Sequence, residues 1–155
     1  MANRYSCDRA LQMAAVVCML SLSTLAFGGL GQDVSSVRSD AARMKTTVSF
    51  LPANSYSTHE MRLSTGTTVR EFVSPAGQVF GVSWQGPSVP DLRQLLGEYF
   101  ERYLQAAETS PPQHHVVHLE AGDLVLESGG HMGFIMGRAY LRSKLPDGAT
   151  ADVIR

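Results

Sequence analysis

The chain has 155 residues, of which 13 are Lys or Arg and 14 are Asp or Glu, so its formal net charge is −1. A nucleic-acid-binding domain would carry a basic face, and a domain attracted to anionic lipid would carry basic clusters. The composition therefore argues against both of these classes.

The first 26 residues have the three-part order of a secretory signal. Two arginines begin the segment, an uncharged apolar run from Leu11 to Leu25 follows, and small residues suit a cut after Ala26. We therefore expect residues 1–26 to be removed and the mature protein to be periplasmic or secreted, with no stable membrane span. A retained anchor is the alternative, because about 20 apolar residues span a bilayer, but serines and glycines dilute the second half of this run.

Both cysteines, Cys7 and Cys18, lie inside the predicted signal. The remaining chain of 129 residues is long enough for one domain that buries roughly two-thirds of its unfolded surface. It would have no disulfide, no thiolate metal site and no cysteine nucleophile. We therefore expect its fold to be held by its core alone.

The segment 27–55 is predicted to be a tether with one short helix. Apolar residues recur at spacings of three and four between Val34 and Met44. The turn-forming residues 52–55 mark the end of this segment.

The predicted globular domain covers residues 56–145 and begins with strands. In the third of these, Phe80, Val82 and Trp84 alternate with smaller residues, which indicates a sheet with one core face. The three runs rich in β-branched and aromatic residues are 56–63, 67–73 and 78–85.

The clearest predicted element is an amphipathic helix from Leu92 to Leu104, whose apolar residues are spaced three and four apart. Three more strands are predicted at 114–120, 124–128 and 131–141, with Gly129-Gly130 as a tight hairpin turn. Residues 146–155 form a polar tail that we expect to fray. The sequence thus predicts an α+β fold, β-β-β-α-β-β-β, in which an antiparallel meander sheet of about six strands curls around one helix.

Several segments resemble one known family. These are Thr67 to Gly77, Trp84 to Pro87, Pro90 to Gly97, Ser128 to Met132 and Gly137 to Tyr140. They are similar to exported proteins of Burkholderia-like proteobacteria known as domain of unknown function 2844. The resemblance implies a signal peptide and a compact envelope or secreted domain. It implies no catalytic residues, because the family has no established activity.

The histidine run from His114 to His118 does not predict a metal site. In a strand the first and last of these share a face but lie about 13 Å apart, whereas each ligand of a zinc ion lies about 2 Å from the metal. We expect neither a metal nor a cofactor.

The acidic residues give no clear catalytic pair. Glu71, Glu120, Asp123 and Glu127 offer carboxylates for acid–base chemistry, but solvated strand faces explain them equally well. The chain also lacks a Gly-x-Ser-x-Gly nucleophile elbow. The sequence therefore favours a protein that is not an enzyme.

The candidate binding surface combines the glycine hairpin at 129–132 with the corner after the third strand. A Gly-Gly pair permits positive φ and close approach of another backbone, although a plain hairpin explains it too. The odd spacing of His131 and Arg138 predicts side chains on opposite faces. The candidate residues are Trp84, Pro87, Gly129, Gly130, His131, Met132 and Arg138.

Three functions stay open on the sequence. The leading interpretation is a non-enzymatic accessory domain that binds another component of the cell envelope. The first alternative is a small-ligand-binding periplasmic domain with a pocket lined by Phe80, Val82, Trp84 and Tyr99. The second is a hydrolase in which His131 acts with a nearby carboxylate.

Overall fold

The computed structural model of the protein describes residues 29–109 and 116–155. It contains one seven-stranded sheet, in which every adjacent pair of strands is antiparallel. The strands are β1 (Val48–Pro52), β2 (Ser57–Arg62), β3 (Thr68–Val73), β4 (Val79–Gly86), β5 (Val116–Ala121), β6 (Leu124–His131) and β7 (Phe134–Leu141). The α-helices are α1 (Ser35–Arg43), α2 (Leu92–Leu96) and α3 (Phe100–Thr109), and short 3-10 helices lie at Gly97–Tyr99, Arg142–Lys144 and Ala151–Val153.

The spatial order of the strands is β1-β2-β3-β4-β7-β6-β5. The first four strands form a meander, after which α2 and α3 carry the chain to the far edge of the sheet. The last three strands then return toward the middle, where β7 pairs with β4. This arrangement confirms the predicted α+β class and antiparallel meander. The predicted signal and the histidines at 114 and 115 lie outside the described residues.

The two faces of the sheet are covered unequally. On the inner face, all three helices pack against the strands, and apolar residues such as Val37, Leu95 and Trp84 form the main core. On the outer face, the C-terminal segment packs Ile154 against Phe72 in a smaller cluster. Burial of apolar surface on both faces makes this a three-layered domain.

The C-terminal segment is packed rather than frayed, contrary to expectation. Ile154 is fully buried, and two arginines on the sheet bind backbone carbonyls of this segment. Arg138 Nη1 donates to the Ala151 oxygen at 2.8 Å, and Arg70 Nη1 donates to the Arg155 oxygen at 3.2 Å. These contacts fix the segment because they satisfy carbonyl groups that would otherwise need water.

Two elements differ from their predicted form. β1 is an additional edge strand that the sequence did not indicate, since four of its five residues are exposed and leave no apolar alternation. The predicted helix from Leu92 to Leu104 is interrupted at Gly97. The φ of Gly97 is 53°, in the left-handed region, and a helix cannot continue through such a residue.

A β-bulge moves Phe80 to the other face of the sheet. The pairing of β3 with β4 shifts between Phe72 and Val73, which face Gly81 and Val79 respectively. Phe80 therefore joins the outer cluster, while Val82 stays in the inner core. The prediction that Phe80 shares a face with Val82 and Trp84 was wrong, because a bulge breaks the two-residue period of a strand.

The hairpin between β6 and β7 turns later than predicted. Gly129 and Gly130 lie within β6, and the last pair of the ladder is His131 with Phe134. The turn is therefore Met132-Gly133, in which Gly133 has a positive φ of 88° that glycine adopts without strain. The longer hairpin is favoured because the ladder of backbone hydrogen bonds continues through both glycines.

Candidate functional site

A groove with a volume of about 730 Å³ lies on the outer face of β5, β6 and β7. Gln85 of β4 and Arg155 of the C-terminal segment border the groove on the side toward the centre of the sheet. The groove forms because the C-terminal segment covers only the middle of the outer face. The half of the sheet near β5 is left uncovered.

Five of the seven predicted candidate residues line this groove. They are Trp84, Gly129, Gly130, His131 and Arg138. Met132 lies beside it at the tip of the hairpin and is 99% exposed. Pro87 is not part of the groove and lies instead near Gly66, at the turn between β2 and β3.

The apolar part of the groove comes from β7. Phe134 and Met136 point outward at alternate positions and are 40% and 50% exposed. Gly129 lies opposite Met136 on β6, and its lack of a side chain leaves the floor open beside the methionine. Alternation along two adjacent strands thus places bulky apolar groups next to bare backbone.

The polar part of the groove belongs to a row of side chains that crosses the outer face at one level. Strand register aligns six residues from β2 to β5, namely Glu60, Arg70, Ser83, Arg138, Glu127 and His118. Arg138 Nη2 lies 2.7 Å from Glu127 Oε2, and Arg70 Nε lies 2.8 Å from Glu60 Oε2. Each arginine is therefore neutralised by a cross-strand carboxylate, so the groove is not a strongly cationic site.

His118 lies between two carboxylates at the β5 end of this row. Its Nε2 is 3.3 Å from Glu120 Oε1, and its Nδ1 is 3.3 Å from Glu127 Oε1. A hydrogen bond from Arg142 lowers the pKa of Glu120 and keeps that partner charged.

His131 lies on the same face as Arg138, so the predicted opposite orientation was wrong. The prediction placed His131 at the start of β7, whereas it ends β6, and the turn between them restores a shared face. Its Nδ1 lies 3.1 Å from the Met132 carbonyl oxygen. Among the described residues, no carboxylate lies within hydrogen-bond distance of this ring, which a general base of the predicted kind needs.

The four residues predicted to line a ligand pocket do not meet in one cavity. Phe80 and Val82 are fully buried in separate clusters on opposite faces of the sheet. Tyr99 packs against the inner core, and Trp84, although it is among the residues that border the groove, has its side chain buried in that same core. The groove is therefore a different site from the predicted pocket.

The sequence did not indicate the most unusual polar feature, a buried pair of carboxyl groups. Asp40 of α1 and Glu71 of β3 both have 0% exposure, so the prediction that Glu71 lies on a solvated face was wrong. The two carboxyl groups lie close enough for each to shift the pKa of the other. Gln94 of α2 donates from Nε2 to Asp40 Oδ1 at 3.0 Å and to the Asp40 carbonyl at 3.1 Å.

Burial governs the protonation of this pair. It raises the pKa of Glu71 well above its usual range, and the charge and hydrogen bond of Asp40 raise it further. Burial also raises the pKa of Asp40, although hydrogen bonds from Gln94 and Glu71 oppose the shift. One sequence signal was present, because Glu71 has the same strand parity as the apolar Val69 and Val73.

The other predicted acidic residues have ordinary partners. Glu120 and Glu127 are ion-paired as described above, and Asp123 accepts hydrogen bonds from the backbone and hydroxyl of Ser143. Within residues 29–109 and 116–155, no group of three or more His, Cys, Asp or Glu side chains is placed to hold a metal ion. No helix in the same part of the chain is long and apolar enough to cross a membrane.

A family model described as a protein of unknown function (DUF2844) matches residues 26–154. The chain belongs to the DUF2844 family. This confirms the resemblance seen in the sequence motifs. The match includes all seven strands, so the groove and the buried carboxyl pair both lie within the DUF2844 domain. Searches of curated proteins and of solved structures give no significant match.

Proposed function

We propose that this DUF2844 protein is an exported, non-enzymatic accessory domain that binds an envelope protein through the groove on β5–β7. The observation that carries the proposal is the exposure of three large apolar side chains, Met132, Phe134 and Met136, on one hairpin beside the groove. Exposed apolar groups that cluster and are rimmed by polar residues are typical of protein interaction sites.

The chemistry of the groove favours a protein segment with apolar side chains. Phe134 and Met136 offer an apolar centre, and methionine adapts its shape to a partner. The rim carries Glu127 and Arg138, whose charges neutralise each other. This combination of an apolar centre and a balanced polar rim is the usual composition of an interface.

Export is supported by the N-terminal sequence. The positive, apolar and small-residue regions of residues 1–26 follow the order of a secretory signal. The family match begins at residue 26, so it leaves that apolar run outside the domain. An exported domain would meet its partner in the periplasm or outside the cell.

A non-enzymatic role is supported by the positions of the titratable groups. His131 contacts a backbone carbonyl of its own hairpin. The paired carboxyls of Asp40 and Glu71 are sealed from solvent, so a substrate in the groove would not reach them. His131 therefore lacks the carboxylate partner, and the buried pair lacks the access to a substrate, that acid–base catalysis requires.

A small ligand is the second candidate, and the size of the groove favours it. Its volume of about 730 Å³ lies within the roughly 300–1,000 Å³ typical of ligand pockets. Native mass spectrometry of the purified protein tests this candidate. A bound molecule that is lost in Gly129→Val, which fills the floor of the groove, would support it over a protein partner.

The leading proposal is tested by site-specific photo-crosslinking in living cells. We expect a photoreactive amino acid at Met136 to capture one envelope protein, and the same group at Leu51 on β1 to capture none. Leu51 is a matched control because it is an exposed apolar residue on the opposite edge strand. Equal capture from both positions would reject the groove as the binding surface.

Reconstitution with the captured protein completes the test. We expect saturable binding that Phe134→Ser weakens by roughly tenfold, as for a residue at the centre of an interface. Circular dichroism checks that this variant is folded, which is expected because Phe134 is partly exposed. Unchanged affinity in a folded Phe134→Ser variant would overturn the proposal.

A further inference from the structure

The buried carboxyl pair joins three elements. Asp40 extends from α1, Glu71 from β3 and Gln94 from α2, and the amide of Gln94 donates to Asp40. Within the described residues, Asp40 Oδ2 and both oxygens of Glu71 lack a donor from any other group. A hydrogen bond between the two carboxyls therefore forms only when one of them carries a proton, since two carboxylates only accept.

The groups around the pair do not compensate a second negative charge. Arg43 on α1 is the cation whose charge acts on Asp40. His59 on β2 is directly opposite Glu71, and burial lowers the pKa of His59, so this ring is neutral at alkaline pH. On the other side of Glu71, β4 presents the apolar Val82.

We propose that Asp40 and Glu71 form a pH-sensitive latch, in which one shared proton holds α1 on the sheet and the loss of that proton as pH rises releases α1. With the proton present, the pair forms a short-range bond between helix and sheet. Without it, two like charges face each other at fully buried positions, where an unpaired charge is costly. This inference is independent of the groove and of the proposed function.

α1 is the element that such repulsion would detach. It has only nine residues, and helices shorter than about 12 residues are marginal without packing. β3, in contrast, is paired with a strand on each side. Moving α1 away from the sheet therefore costs less free energy than moving β3 out of it.

The sign of the effect follows from the raised pKa of Glu71. The native state holds a proton that the unfolded carboxyl releases near its ordinary pKa of 4.5, so the latch is strongest below that pH. As pH rises toward the native pKa, its contribution is lost. The opening equilibrium of α1 then increases by up to about tenfold per pH unit, the limit for one proton.

Hydrogen–deuterium exchange tests the latch. We expect protection factors of α1 amides, which correct for the intrinsic pH dependence of exchange, to fall between pH 6 and pH 9 while those of β4 and β7 hold. Glu71→Gln should remove the pH dependence, because its amide donates to Asp40 at every pH. Glu108→Gln, the same change at an exposed site on α3, should behave like the unmodified protein.

Two results would overturn the proposal. One is an α1 protection profile in Glu71→Gln that still follows the unmodified protein across this pH range. The other is an equal loss of protection in α1, β4 and β7, which would mean that the pair affects global stability without releasing the helix. If Glu71→Gln does not fold, Asp40→Asn replaces it, and a retained pH dependence in that variant would refute the latch.

Discussion

Gly137 on β7 lies opposite Trp84 on β4 and directly against its ring. A Cβ built at Gly137 would lie 2.2 Å from Trp84 Cζ2, and the indole is almost fully buried. Close-packed interiors have no spare volume into which such a ring can move freely. The glycine is therefore required by the packing of the tryptophan, which explains why a motif residue without a side chain occupies a central strand.

We predict that Gly137→Ala lowers the free energy of unfolding by about 1–3 kcal/mol, the usual cost of overpacking a core. Urea denaturation followed by fluorescence measures it, because Trp84 is the single tryptophan. The control is Met136→Ala, whose side chain is half exposed on the opposite face and should change stability by about 0.5 kcal/mol or less. Equal stability of both variants would show that the indole repacks without cost.

Among single residues, local pattern placed five candidate residues beside the groove, but it did not place Glu71 and Asp40 together. The glycines and the exposed apolar groups of the hairpin are adjacent in the sequence, so one motif located most of the groove. Asp40 and Glu71 are 31 positions apart, and only the packing of α1 on β3 brings them together. A long-range contact of this kind leaves no signature in spacing or composition.

At the level of elements, Gly97 separates α2 from α3. Its φ of 53° is a conformation in which other L-residues are strained. The apolar spacing from Leu92 to Leu104 nevertheless resembles one continuous helix. Two short helices that follow the same curved sheet present nearly the same apolar stripe, so periodicity alone could not reveal the break.

Gly97→Ala distinguishes one continuous helix from two short helices that are interrupted at Gly97. In a continuous helix, alanine would stabilise the protein by about 1 kcal/mol relative to glycine. We predict the reverse, a loss of about 1 kcal/mol, since a non-glycine residue is strained at this φ. Thermal unfolding with Glu108→Ala as the exposed helical control measures the difference, and a higher melting temperature for Gly97→Ala would contradict the interrupted helix.

The sequence predicted the central strands well and the edges poorly. β3 and β4 have alternating or continuous apolar residues because both are buried, whereas β1 is exposed on nearly all positions. The bulge at Phe72 depends on the pairing of two strands, and the position of the β6–β7 turn depends on how far their ladder extends. Strand pairing decides these features, and single-strand propensity does not.

At the level of the whole molecule, the sheet separates two cores of unequal size. The inner core is covered by three helices, and the outer cluster is covered by the C-terminal segment alone. This segment runs from Arg138 on β7 to Arg70 on β3, so the outer surface of β5 and β6 stays open and becomes the groove. One short stretch of chain thus seals part of the fold and sets the border of the candidate site.

Ile154 is the residue through which the C-terminal segment acts. It is fully buried, and its Cδ1 would lie 2.7 Å from a Cβ at Gly81, so the isoleucine fills the space that this glycine leaves. We predict that Ile154→Ala lowers the free energy of unfolding by about 2–5 kcal/mol, the range for removing a buried isoleucine side chain. Val153→Ala, a change at a half-buried neighbour, should cost less.

The C-terminal segment both stabilises the outer cluster and borders the groove. Chemical denaturation of Ile154→Ala and Val153→Ala measures the first role, and the binding assay at the groove measures the second. Because Ile154 also borders the groove, Ile154→Ala should weaken binding of the captured partner at temperatures where the variant is still folded. Val153→Ala should leave binding unchanged. A stability loss in Ile154→Ala no larger than that of Val153→Ala would mean that the outer cluster contributes little and that the sheet is held by its inner core.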